Sequence, residues 1–320
     1  MRSNRPSLPA WLMLSAVLGA SHVSQNDTLA TAPQTAKPSP YFGQPLPTIA
    51  PERFAPGVVS TNAIELNGVF SPDLKEFFFA RLIDGVQTMF HSELVDGAWT
   101  PPRELLLFPE QTRAVADDMA LSPDGRELYF LGIHPAGVGA ADIWRSPHVG
   151  GKWSTAEVLP QPVNTDAAEV YPVVVGDGSL YFTSNRTGGV GPRSSLYRAQ
   201  RLKDGRFATP VLVPAPINNQ FGIGDTYVSP DESYMVFGSR RPPSLGNGDL
   251  FVSFRRNGGG WSEPAHLGKT INTEDTDFCP MVTPDGKYLF FSRLRGASWR
   301  EATAGDVYWV DAKILEQFRP

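Results

Sequence analysis

Carboxylate and guanidinium side chains recur along this chain at matched places. The acids are Glu65, Asp117, Asp118, Glu169, Asp225, Asp275 and Asp277, and the cations are Arg81, Arg186, Arg240, Arg241 and Arg293. Two carboxyl groups at the right separation can cleave a glycosidic bond, one as acid and the other as base or nucleophile. Glu65, Glu169 and Asp277 are the candidates for that chemistry. The same groups paired with arginines would only hold loops in place, and their recurrence favours this structural role. Acids beside aromatic rings also suit a sugar, which offers apolar CH faces and directional hydroxyls. The candidate binding set is therefore Asp117, Asp118, His134, Tyr171, Arg186, Asp225, Tyr227, Arg240, Phe278 and Arg293, with Phe221 and Trp299 on neighbouring loops. His134 and His148 are singled out because they break the repeat described below.

Other chemistries are missing from the sequence. It has no His-Glu-x-x-His helix, no cysteine pair, no Gly-x-Ser-x-Gly elbow and no phosphate loop. No cofactor or catalytic metal is expected. A structural calcium ion would have one candidate loop, Asn272-Thr-Glu-Asp-Thr-Asp277. Cys279, the single cysteine, stands between Phe278 and Pro280 and reads as a small buried hydrophobe. Net charge is −5 with lysines and arginines scattered singly, which argues against nucleic acid as a partner. Asn164, Asn218 and Asn272 recur before three strands and read as turn caps.

The elements that must position these groups follow from a repeat. Ser71-Pro-Asp, Ser122-Pro-Asp-Gly, Gly176-Asp-Gly, Ser229-Pro-Asp and Thr283-Pro-Asp-Gly each precede a strand rich in Leu, Tyr and Phe, and the turn starts are 51, 53, 54 and 54 residues apart. Around each turn the pattern predicts four short strands, a propeller blade. Four fourth strands open on Trp99, Trp153, Phe207 and Trp261, one fewer than the hairpins. The missing one is expected from Phe54-Ala-Pro-Gly-Val-Val59, closing the ring and removing its sheet edges. The expectation is an all-β, five-bladed β-propeller over residues 41–320, with six blades as the alternative. In such a ring the acids and arginines gather at one loop-rich face around a central channel, suited to a glycan, a cation or a peptide terminus.

Residues 1–24 read as a secretory signal: Arg2 and Arg5, then the apolar run Ala10–Ala20, then small residues. Residues 25–40 read as a Thr-, Ala- and Pro-rich disordered linker. With its Pro-Asp-Gly hairpins, Leu-Tyr-Phe strands and aromatic-Ser-x-Pro strands, the chain resembles the WD40-like (PD40) propeller repeats of TolB-like exported bacterial proteins. That resemblance implies a periplasmic or secreted binding platform, without stable membrane insertion after signal removal, whose partner is a protein or a cell-envelope glycan. A carbohydrate-active enzyme, hydrolase or lyase, is the alternative.

Overall fold

The computed structural model describes residues 40–190, 194–296 and 302–320. Trp299, the signal segment and nearly all of the expected linker lie outside them. Five antiparallel sheets form five blades, matching the five-hairpin count. Their innermost strands are Glu65–Phe70, Val115–Leu121, Glu169–Val174, Thr226–Val228 and Thr276–Val282. Each is followed by a Pro-Asp or Asp-Gly turn and a second strand. Third strands follow, and fourth strands are short; in blades one and two they are broken into pairs such as Lys152–Trp153 and Glu157–Val158.

The turn sequence explains itself. Ser71 Oγ donates to Asp73 at 2.7 Å and accepts from the Glu76 N–H at 2.8 Å, and Ser122 and Thr283 repeat the motif. Leu74 and Glu232 stand where glycine is usual and still adopt φ of 59° and 55°. Each such left-handed residue costs about 1 kcal/mol, a local penalty that the surrounding hairpin overrides.

Ring closure uses the N-terminal segment, two residues earlier than expected. Glu52 and Arg53 pair with Trp309 and Tyr308 of blade five, and the Phe54 N–H continues the ladder to Val307 at 2.8 Å. The ladder ends there because Pro56 has no N–H and Gly57 turns the chain with φ of 81°. Phe54 is fully buried, with ring centroids 4.8 Å from Phe290 and 5.2 Å from both Phe77 and Trp309. The first and last blades thus share one aromatic core.

The repeated asparagines do something other than cap a turn. Asn164 accepts from the Ile143 N–H and donates to the Ile143 and Leu159 carbonyls, all within 2.9 Å. Asn218 does the same at Leu196, and Asn272 at Leu250. Each side chain imitates a strand neighbour and completes backbone bonding on the third strand, where the short fourth strand stops.

Candidate functional site

Each innermost strand begins at the loop-rich end of the channel and finishes at the Pro-Asp turn. Glu65, Glu169 and Asp277 lie at the loop end, seven residues before their turn starts, and all three are fully buried. Glu65 and Asp277 stand directly across the ladder from Arg81 and Arg293. The ion pairs are Glu65–Arg81 at 2.8 Å, Glu169–Arg186 at 3.1 Å and Asp277–Arg293 at 2.7 Å. Thr61, Thr165 and Thr273 fill the remaining acceptor positions through backbone and hydroxyl donors. The arginines also bond outward, Arg186 to the Pro162 and Val163 carbonyls and Arg293 to Ile271. These acids tie the strand start, the preceding loop and the second strand together. The Asp277 carboxylate of the candidate calcium loop is likewise engaged by Thr273 and Arg293.

Blade four breaks the pattern. Ile223 occupies the acid position, yet Arg241 remains, stacked on Phe237 at 4.7 Å and bonded to the Pro216 and Ile217 carbonyls. Burial pushes its guanidinium down to about 10.

Asp117 and Asp118 lie within the innermost strand Val115–Leu121 rather than on the loop before it. A bulge there skips the register between Asp117 and Ala120. The same bulge occurs in blades one, three and five, and at it Asn67, Asp118, Tyr171 and Cys279 take φ of 55°, 52°, 53° and 48°. Asp225 holds the equivalent place in blade four. These five residues are each five positions before the turn start, and each is at most 9% exposed. Left-handed Tyr and Cys are costly, and such strain gathers at functional sites. Cys279 is therefore more than a core hydrophobe, since its Sγ donates to Asp225 Oδ1 at 3.0 Å.

The five side chains gather at mid-channel. On the turn side of them opens a cavity of about 370 Å³. Its walls are apolar, including Val69, Phe70, Met119, Pro172, Tyr227 and Met281, with Pro72, Pro123, Pro230 and Pro284 at its turn end. A smaller cavity of about 100 Å³ opens on the loop side, lined by Phe221, Arg240, Asp277 and Phe278, and Tyr171 and Asp225 reach both. The main hollow thus lies toward the turns, opposite the face expected from the loops.

The mid-channel acids differ electrostatically from those at the loop end. Asp117 accepts from Gln87 at 2.6 Å and from the Asp118 N–H at 2.8 Å. Burial, then the charge of Asp225, pushes its carboxyl up to about 7. Burial pushes Asp225 up to about 6, and burial plus both neighbouring acids push Asp118 well above the carboxylate range. Asp118 Oδ2 is buried without a hydrogen-bond partner. Among the described residues, no Lys, Arg or His lines the larger cavity.

Other candidates organise loops. His134 bonds Thr112 at 3.0 Å and the Ala136 N–H at 3.1 Å, and stacks on Phe108 at 4.8 Å. His148 lies at the opposite end of blade two, paired with Trp153. Neither lines the cavities described. Asn67 and Cys279 are the site residues that composition and motif reading missed. Their common offset from the turn was the available signal.

The architecture defines the class: a five-bladed β-propeller of four-stranded blades around a central channel. No family profile matches the chain, and no curated protein matches it. Among solved structures it is similar to TolB from Acinetobacter baumannii, with 14% identity, TM-score 0.48, and coverage of 80% of this chain and 59% of that one. It is similar also to a GH43 endo-arabinanase from Bacillus licheniformis, with 10% identity, TM-score 0.48, and coverage of 79% and 94%. A third is the catalytic domain of a GH62 α-L-arabinofuranosidase from Coprinopsis cinerea, with 11% identity, TM-score 0.48, and coverage of 82% and 94%. At these identities and TM-scores the likeness assigns neither activity nor ligand.

Proposed function

We propose that this chain is an exported, PD40-like β-propeller that binds an extended, largely apolar segment of a partner protein in the turn-side channel cavity. One observation carries the reading: a cavity of about 370 Å³ whose walls are largely apolar and whose charged lining residues, Asp118 and Asp225, both lie at its floor. That size and that division are typical of ligand pockets. The loop-end acids Glu65, Glu169 and Asp277 support it by their ion pairs, which leave no free acid and base among them. Export to the periplasm or beyond is supported by the composition of residues 1–24.

A second reading, a carbohydrate-active enzyme, is favoured by the raised carboxyls of Asp117 and Asp225, since a general acid must keep its proton near neutral pH. A displayed peptide library selected on purified protein, run beside a panel of envelope polysaccharides, separates the two. The binding reading expects apolar peptides whose affinity falls at least about tenfold in Met281→Lys, a change at the cavity wall. Polysaccharide turnover that disappears in Asp118→Asn overturns it.

A further inference from the structure

The floor of the large cavity brings together three ligand atoms from three different blades. A carboxylate oxygen of Asp118, one of Asp225 and the Sγ of Cys279 all lie within 4.8 Å of one another. We propose that these three residues form a binding site for a thiophilic divalent metal ion of the zinc type, with its fourth coordination position facing the cavity.

Four observations carry this. First, Asp118 is 6% exposed, and its Oδ2 has no hydrogen-bond partner although it borders the cavity. A buried carboxylate oxygen without a donor loses its hydration for nothing in return, and a cation repairs that loss. Second, the acids at mid-channel have no cationic side chain among the residues lining the cavity, whereas the loop-end acids each have an arginine. A divalent ion would neutralise two buried carboxylates at once. Third, the thiol is already aimed at the acids, with Cys279 Sγ 3.0 Å from Asp225 Oδ1. Fourth, Asp118 and Cys279 reach this place through left-handed backbone at 52° and 48°, a strained geometry that points both side chains into the channel.

The donor set selects the metal. Two carboxylates alone would suit calcium or magnesium, which take oxygen ligands in greater number. A thiolate shifts preference to zinc and its neighbours, and three protein ligands with one open position are the pattern of reactive zinc sites. With bonds of roughly 2.0–2.3 Å, tetrahedral ligands stand roughly 3.3–3.8 Å apart, so the widest separation, at most 4.8 Å, needs to close by up to about 1 Å while Cys279 Sγ and Asp225 Oδ1, 3.0 Å apart, open slightly. On binding, the Sγ–H bond breaks as the Sγ–metal bond forms, and the proton leaves to solvent with any proton shared by the aspartates. No electron is transferred. The site holds whether or not the cavity takes a partner segment, because no step of the argument uses one.

The test uses tag-free, full-length protein, stripped with chelator and then titrated with Co²⁺ and Zn²⁺. The expected result is one Co²⁺ per chain with a thiolate-to-cobalt charge-transfer band, displaced by Zn²⁺. Cys279 is the chain's only cysteine, so the band can come from nowhere else. Asp118→Asn and Asp225→Asn should each weaken Zn²⁺ binding at least about tenfold, with the wild-type spectrum standing alone should a variant fold poorly. Absence of the band overturns the proposal, as does Zn²⁺ affinity unchanged in both aspartate variants. Tight Ca²⁺ binding without the cobalt band overturns it too.

Discussion

The two ends of one channel treat the same residue type in opposite ways. At the loop end, Glu65, Glu169 and Asp277 are fully buried and each meets an arginine within 3.1 Å. Two positions further toward the turn, in blades two and four, Asp118 and Asp225 are almost as buried, yet they face each other and a thiol. The first arrangement is a lock repeated in alternate blades. The second places like charges together at a cavity floor, which costs stability unless protons or a cation are held there. Whether a carboxylate here is paired with a cation depends on its neighbours, not on its depth.

The largest break in this contrast should come from Arg186→Met, which strands Glu169 without its cation. A loss of about 3–5 kcal/mol is expected in urea unfolding, and a loss under 1 kcal/mol would mean that the pair is not a lock. The second effect is one of pH, in metal-free protein. The Asp117 and Asp225 carboxyls are raised to about 7 and about 6 in the fold. The folded state therefore holds more protons than the unfolded one above the ordinary carboxylate range. Their contribution is present in acid and is lost as pH rises, so stability should fall by about 2 kcal/mol between about pH 4 and 7. Thermal melts across that range check it, and Asp118→Asn should flatten the slope.

Arg241→Met sharpens the comparison from the other side. Blade four has Ile223 where blades one, three and five carry an acid, so no carboxylate is left behind. Only hydrogen bonds to the Pro216 and Ile217 carbonyls and ring stacking are lost, for about 1–2 kcal/mol. A cost equal to that of Arg186→Met would show that carbonyl capping, not ion pairing, carries both. The smallest effect is expected for Asp118→Asn at neutral pH without metal. It replaces a buried carboxyl that burial and both neighbouring acids already push toward its neutral form, so stability should hold or rise slightly, by about 1 kcal/mol or less.

Much of the fold was legible beforehand. Blade number follows from the turn spacing, and the borrowed strand from one missing aromatic opening. The closing register slipped by two residues because Pro56 and Gly57 end a ladder that an aromatic pattern alone would extend. The ion-pair partners were also within reach, since Glu65–Arg81 and Asp277–Arg293 share a separation of 16 residues. The asparagine clips were not, because a side chain that imitates a strand looks the same in sequence as one that caps a turn.

By itself, the order of residues determined the repeat, the five hairpins and the all-β ring, since turn chemistry and strand alternation act over a few neighbours. Only the closed ring decided which side of the channel is hollow. It also decided that Asn67, Asp118, Tyr171, Asp225 and Cys279 meet. Those five are 51 to 54 residues apart along the chain. They become neighbours because closure carries equivalent positions of successive blades to one axis, and the bulge at each turns the side chain toward it.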